Sequence, residues 1–89
     1  MYRKKYKPEF INDLKRVKGK KTKDNIIKIM DKIAHMVEFN PDHFKNLDYP
    51  LNKYKRVHVN TSYVILFTVN IKEKTVEFYR YDHHDNIYK

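Results

Sequence analysis

The first forty residues place apolar side chains at a spacing close to that of an α-helix. Pro8 suits the first turn of a helix, and Gly19, the only glycine, is typical of a helix end. One apolar stripe lies between them, at Phe10, Ile11, Leu14 and Val17. A second stripe follows at Ile26, Ile27, Met30, Ile33, Ala34 and Val37. The pattern predicts two helices, the second beginning near Thr22 or Asp24 and ending at Asn40.

From residue 54 onward the period changes to two, which is the period of a β-strand. Residues 54–59 alternate and predict a strand with one buried face. Residues 63–69 are almost entirely apolar, as expected for a central strand covered on both sides. A third strand is predicted over residues 75–81, and a short first strand over residues 2–7. The order β-α-α-β-β-β predicts one α+β domain over residues 1–89, with two N-terminal helices packed on a small antiparallel sheet.

The alternation in the strand after residue 54 also separates two kinds of side chain. If Val57 and Val59 point toward the helices, then Tyr54, Arg56 and His58 point to the open face of the sheet. Arginine supplies a planar, permanently charged fork, and histidine titrates near neutral pH. The pair is therefore a candidate phosphate site. Taken alone, it fits an ordinary polar sheet face better.

Positive charge is concentrated near the N-terminus. Residues 1–23 hold ten Lys and Arg against Glu9 and Asp13, a net charge of +8 out of +9 for the whole chain. Such a block favours a polyanionic partner, either a nucleic acid or an acidic protein segment. A solvated lysine-rich face is the alternative. The chain also has eight Tyr and five Phe, and aromatic rings beside cations suit stacking on unpaired bases.

Composition narrows the setting of the protein. The chain has no cysteine, which excludes disulfides and thiolate metal sites and fits a reducing compartment. No stretch approaches eighteen apolar residues, and the N-terminus lacks the apolar segment of a signal peptide. We therefore expect a cytoplasmic protein with no membrane partner.

The chain ends with two histidines between two aspartates, in the segment YDHHDNIYK. A metal site, a solvated tail and an active site are the three interpretations. Zinc prefers rigidly held ligands, and a terminus is a poor holder, so we expect no metal and no other cofactor. In an extended segment His83 and His84 would face opposite ways. Only one would then be functional, and we expect it to be His84.

Three segments resemble the RelE/ParE toxin superfamily of type II toxin–antitoxin systems. They are the opening YRKKYKPEFINDLKRV, the central YPLNKYKRVHVNTSYVILFTV and the ending HHDNIYK, in that order. The histidines make the chain most similar to the YafQ/RelE-type mRNA interferases. By that resemblance His58 and His84 fall on catalytic histidines, Tyr88 on a near-terminal aromatic and Tyr63 on a strand aromatic. The chain departs from the pattern at Tyr49, Ser62 and Val64, where relatives have histidine, aspartate and arginine respectively.

The resemblance implies a ribosome-dependent endoribonuclease that cleaves mRNA without a metal, by attack of a ribose 2′-hydroxyl on the adjacent phosphate. The implied catalytic residues are His58, His84, Tyr88 and Arg56. The RNA-binding candidates are Arg80, Tyr63, Lys53, Lys55, Lys18, Lys20, Lys21 and Lys23. We expect His84 to be the general acid and His58 the base, with the reverse assignment left open. A ParE-like gyrase inhibitor and a non-catalytic RNA-binding module are the alternative functions.

The resemblance also implies three partners: mRNA, ribosomal RNA and an acidic antitoxin. Ile29 and Met36 lie off the main apolar stripe and are expected to leave hydrophobic surface for the antitoxin. The antitoxin could cover the active site or displace the last residues of the chain. We expect displacement, because the segment from His84 has few apolar anchors.

Overall fold

A computed structural model describes residues 2–87 of the chain. Its elements follow the predicted α+β order, with one short helix added at the end. They are β1 (Arg3–Tyr6), α1 (Pro8–Arg16), α2 (Lys20–Phe39), β2 (Lys55–His58), β3 (Tyr63–Asn70), β4 (Thr75–His83) and α3 (His84–Ile87). The predicted class and the order of helices and strands are confirmed.

The four strands form one sheet in the order β1-β4-β3-β2. β2 with β3 and β3 with β4 pair antiparallel, as predicted. β1 pairs parallel with β4, from Arg3 opposite Thr75 to Tyr6 opposite Phe78, so the sheet is mixed rather than purely antiparallel. The expectation failed because strand periodicity shows faces but not partners. The parallel pairing is reached through a long connection, which here includes both helices.

The hydrophobic core lies between the helices and one face of the sheet. Near its centre Phe10 stacks on Phe78, with ring centroids 5.4 Å apart. The exposed ring of Tyr6 extends this stack at the margin of the core, 6.0 Å from Phe78. The predicted apolar stripe of α2 covers this centre. The buried core residues are Tyr2, Phe10, Ile26, Met30, Ile33, Val37, Ile65, Phe67, Val76, Phe78 and Tyr81.

The boundary between the two long helices differs from the prediction. α1 ends at Arg16, three residues before Gly19, and Gly19 instead precedes the first residue of α2 with a φ of 92°. That positive φ suits glycine, so the glycine shapes the turn before α2. No side chain caps α2, and neither Thr22 nor Asp24 begins it. α2 ends at Phe39 as expected, and no helix within residues 2–87 is long and apolar enough to cross a membrane.

A buried carboxylate fastens α1 to β4. Asp13, only 5% exposed, accepts a 2.8 Å hydrogen bond from Arg80 Nε and a 2.9 Å bond from the backbone N–H of Tyr81. The hydrogen bond to Asp13 holds the pKa of the Arg80 guanidinium above its usual value. The contact lies close before the paired histidines, and it therefore fixes the end of β4 that leads into them.

Candidate functional site

His58 and Arg56 lie on the open face of the sheet, near the end of β2. Val57 and Val59 pack against the core on the other side, while Arg56 and His58 are exposed, so the predicted alternation of faces is confirmed. In the sheet register His58 lies opposite Val64 of β3, and Val64 in turn lies opposite Asp82 of β4. His58 and Asp82 therefore occupy one row across the sheet, two strands apart, or about 10 Å between their Cα atoms.

Apolar side chains separate the two polar margins of this face. Val64 and Leu66 are buried, 0% and 5% exposed, although neither belongs to the core under the helices. Each has a polar residue of β2 on one side and a polar residue of β4 on the other. Val64 stands where RelE-type chains are expected to have an arginine. Because these two side chains are buried, the middle strand offers no cation to a phosphate at this face.

His84 lies at the same end of the sheet as His58. β4 ends at His83, and α3 begins at His84. The backbone N–H of His84 donates a 2.9 Å hydrogen bond to the carbonyl of Ser62, in the turn between β2 and β3. Because His58 precedes that same turn, the fold brings the two predicted catalytic histidines to opposite sides of one strand.

His83 and His84 do not face opposite ways. Their ring centroids lie 4.5 Å apart with 31° between the ring planes, and Nδ1 of His84 lies 2.9 Å from Oδ1 of Asp85. The expectation was wrong because alternation holds only within a strand, and the strand stops between these two residues. The edge of the His83 ring also packs on Tyr63, at 5.5 Å between centroids.

Tyr63 lines a cleft at the margin of the site. Its ring is 36% exposed and stacks on Tyr81, with centroids 5.2 Å apart and planes 17° apart. The cleft has a volume of about 540 Å³. It is also lined by Arg16 and Lys18, which belong to the basic segment (residues 1–23), and by Asn60 of the β2–β3 turn. An aromatic ring beside two cations suits an unpaired base and its phosphate.

Four of the six lysines predicted to bind RNA come from the N-terminal half of the chain, and they divide between two surfaces. Lys18 lines the Tyr63 cleft, and Lys21 lines an adjoining cleft that also includes Asn60. Lys20, at the first position of α2, is exposed. Lys23 lies elsewhere, on the groove between α1 and α2 that Lys15 also lines. Lys18 and Lys21 are therefore the lysines of this set that lie nearest the site.

The remaining cations around β2 have different surroundings. Arg56 lines a cleft of about 440 Å³ against the loop of residues 45–51. Lys53 lies 5.0 Å above the ring of Tyr54. Lys55 faces away from His58, and its Nζ donates 2.8 Å hydrogen bonds to the carbonyl of Phe44 and to Oδ1 of Asn46. Lys55 therefore holds the loop before β2, which is a structural role that its sequence position did not indicate.

Arg80 also has a structural role. Its guanidinium contacts Asp13 at 2.8 Å and Asp82 at 3.3 Å, so two carboxylates already balance its charge. This arrangement disfavours the predicted contact with RNA. Tyr88, the predicted near-terminal aromatic, lies outside the described residues.

Two features of the structure were missed from the sequence. The first is the carboxylate of Asp13. It falls three residues after Phe10 and four before Val17, so helical spacing could have indicated that it lies on the apolar face of α1. The second is an apolar groove lined by Tyr6, Ile11, Leu14, Lys15, Lys23, Ile27 and Met30. Ile11 and Ile27 are 43% and 50% exposed, whereas Ile29 and Met36 are partly buried. The expected hydrophobic surface exists, but residues of the main stripes form it.

The chain is similar to known proteins in both sequence and fold. The candidate toxin RelE4 of Methanocaldococcus jannaschii is 48% identical over 71 residues, which are 80% of this chain and 74% of that protein. A histidine-to-glutamine mutant of YafQ from E. coli superposes with a TM-score of 0.74 over 100% of both chains, at 15% identity. A chain of the RelB–RelE antitoxin–toxin complex from Methanococcus jannaschii gives a TM-score of 0.66 over 94% of both chains, at 26% identity.

The family assignment rests on nearly the whole chain. The sequence model of the ParE toxin of type II toxin–antitoxin systems of the parDE kind matches residues 5–88. That span includes the described helices α1 and α2, the strands β2 to β4 and the paired histidines. The chain belongs to this toxin family, within the RelE/ParE superfamily of type II toxin–antitoxin systems.

Proposed function

We propose that this toxin is a ribosome-dependent endoribonuclease that cleaves mRNA without a metal cofactor. One observation carries the proposal: His58 and His84 lie at the same end of the sheet, on either side of β3. Arg56, two residues before His58, adds a permanent positive charge to the same face. A gyrase inhibitor needs no such pair of titratable side chains.

The two imidazoles supply both proton transfers that RNA cleavage needs. A neutral His58 accepts the proton of the ribose 2′-hydroxyl while its oxygen attacks the adjacent phosphate. A protonated His84 donates a proton to the departing 5′-oxygen, which leaves a 2′,3′-cyclic phosphate and a 5′-hydroxyl. Asp85, 2.9 Å from Nδ1 of His84, orients the ring so that Nε2 remains for the leaving group. Arg56 stabilises the charge that develops on the phosphate.

The cleft beside Tyr63 is the proposed binding site for a neighbouring base. Its aromatic ring is partly exposed, and Lys18 and Arg16 lie on the same cleft to hold a phosphate. Tyr88 keeps its proposed role as a second stacking residue on the strength of the resemblance. Specificity would then depend on which base fits between the β2–β3 turn and the basic segment.

The proposal is tested by mapping RNA ends after expression of the toxin in cells. Cleavage by the proposed route yields new 5′-hydroxyl ends within translated mRNA, and those ends should disappear when translation initiation is blocked. If no new ends form and the purified chain instead inhibits supercoiling by DNA gyrase, the ParE-like alternative is correct. If neither occurs but the chain still binds RNA, it is a non-catalytic binding module.

The basic segment near Tyr63 is expected to bind ribosomal RNA. Replacing Lys18 and Lys21 together with glutamine should weaken ribosome binding and make it less dependent on salt, lowering the slope of log affinity against log salt by up to about 2. The matched control is Lys15→Gln with Lys23→Gln, which removes the same charge from the groove on the other side of the helices. Sedimentation with ribosomes over a salt series measures both. If the two double variants lose the same amount of ribosome affinity, binding depends on overall charge and not on the cleft beside Tyr63.

The proposed antitoxin docks on the groove between α1 and α2. The groove presents Ile11 and Ile27 to solvent between two lysines, Lys15 and Lys23. An amphipathic segment with acidic margins complements that pattern, and the net charge of +9 favours its association.

We expect the antitoxin to inactivate the toxin by displacing the segment that begins at Asp82. In the free protein hydrogen bonds hold this segment, including His84 N–H to the Ser62 carbonyl at 2.9 Å. Few apolar contacts support it, and Ile87 is its one aliphatic residue within the described part. Amide exchange should therefore become faster over residues 82–87 in the complex. Unchanged exchange there, with new protection at His58, would indicate direct coverage of the site instead.

A further inference from the structure

The junction between β4 and α3 gathers three potential metal ligands. The rings of His83 and His84 lie 4.5 Å apart, and the carboxylate of Asp85 lies beside both. One ligand atom from each of the three residues falls within 4.8 Å of the other two. The reaction proposed above uses His84 and leaves the neighbouring histidine without a chemical role.

The distances fit a small tetrahedral ion. Asp85 lies 2.9 Å from Nδ1 of His84 through Oδ1, and 3.6 Å from Nδ1 of His83 through Oδ2. Zinc bonds to nitrogen and oxygen are about 2.0–2.1 Å long, which sets ligands about 3.4 Å apart in a tetrahedron. These two separations, which run to different oxygens of Asp85, lie on either side of that value, and the ligand atoms of His83 and His84 lie within 4.8 Å of each other.

The segment is also held more firmly than an ordinary terminus. Asp82 accepts a 2.7 Å hydrogen bond from the backbone N–H of His83 and a 3.2 Å bond from Nδ2 of Asn86, and His84 is bonded to the β2–β3 turn. The reason for expecting no metal was a loose terminus, and the two histidines were separately expected to lie on opposite faces. Neither describes residues 82–87.

We infer that His83, His84 and Asp85 bind one zinc-class divalent ion. Two imidazoles and one carboxylate suit zinc, cobalt or nickel, whereas magnesium prefers oxygen ligands alone. The side chains of the two histidines are 35% and 39% exposed and that of Asp85 is 72% exposed, which leaves the fourth position open to water. Binding through Nδ1 of His83 replaces only a 3.2 Å hydrogen bond from the Asp85 amide.

A second step, which rests on the proposed function, is that the same ion inhibits RNA cleavage. An imidazole nitrogen bonded to zinc carries no proton, so a loaded His84 loses the hydrogen-bonded arrangement with Asp85 on which proton donation depends. The site would therefore be an inhibitory one, and zinc would hold the toxin inactive independently of any antitoxin.

Zinc titration of the tag-free full chain tests the binding. In competition with a chromogenic chelator we expect one ion per chain, and magnesium in excess should not displace it. His83→Ala should weaken zinc affinity by about tenfold or more, since a direct ligand matters at least as much as its hydrogen-bonded neighbours. The matched control is His35→Ala, which removes an exposed histidine on α2 and should leave affinity unchanged. Equal affinity in wild type and His83→Ala would overturn the site.

Cleavage assays separate this inference from the proposed function. Zinc should inhibit wild-type cleavage and EDTA should restore it. The zinc concentration for half inhibition of His83→Ala, measured against its own zinc-free rate, should rise by the factor lost in affinity. Stoichiometric zinc binding by a chain that cleaves no RNA would contradict the proposed function and support the metal site. Undiminished RNA cleavage by a zinc-loaded chain would contradict the proposal that zinc inhibits the toxin.

Discussion

Replacing either His58 or His84 with alanine is expected to lower the rate of mRNA cleavage by about 100-fold to 10,000-fold, the usual range for losing a general acid or base. Growth inhibition on expression should disappear with it. The two variants should be similarly inactive, because each proton transfer belongs to the same reaction. The double variant should be little worse than either alone, since residues that act as a unit do not contribute additively. Mapping of 5′-hydroxyl ends and a growth assay measure both effects.

The fold should survive these substitutions. His58 is exposed, and His84 is partly exposed and bonded to the Ser62 carbonyl through its backbone rather than its ring. Circular dichroism and urea unfolding should therefore match the wild type. His43→Ala is the matched control: it removes another exposed histidine, in the loop after α2, and should remain toxic. A folded double variant that still cleaves mRNA would end the catalytic assignment.

Local periodicity predicted the parts of the fold that depend on one element at a time. The stripe from Ile26 to Val37 does face the sheet, and the alternation around Val57 does place His58 on the open face. Pairing between distant segments was not predictable in this way. β1 joins β4 in parallel although nothing in either strand specifies its partner. Gly19 was assigned to the wrong helix end because a glycine with positive φ fits a turn on either side.

For the candidate site, the sequence named residues but not their contacts. A resemblance pointed to His58 and His84, and the fold brings both to the same end of one sheet. It could not show that Lys55 and Arg80 bond to protein groups, since a basic residue in a strand looks the same whether it meets RNA or a carboxylate. The resemblance also could not show that the rings of His83 and His84 contact each other, because that contact depends on the strand ending between them.

Asp13→Ala is expected to destabilise the protein by about 3 kcal/mol, near the lower end of the cost of breaking a buried ion pair. Three hydrogen bonds would be lost: two from the Arg80 guanidinium, at 2.8 and 3.3 Å, and one from the Tyr81 amide at 2.9 Å. The carboxylate is buried, whereas the Arg80 side chain is 39% exposed, so solvent can compensate part of the stranded charge. The lower end of the range applies for that reason. A domain of this size has only about 5–15 kcal/mol of stability in total.

Urea unfolding of three variants distinguishes the two components of this contact. Asp13→Asn keeps an acceptor for the Tyr81 amide but loses the charge opposite Arg80, so its stability should lie between wild type and Asp13→Ala. Asp42→Ala removes an exposed carboxylate from the loop after α2 and should change stability by less than about 0.5 kcal/mol. The destabilised end of β4 carries His83 and leads directly into His84, so Asp13→Ala should also lower zinc affinity and cleavage together. If Asp13→Ala is no less stable than Asp42→Ala, the buried contact does not hold α1 to the sheet, and the anchoring proposed for the site is wrong.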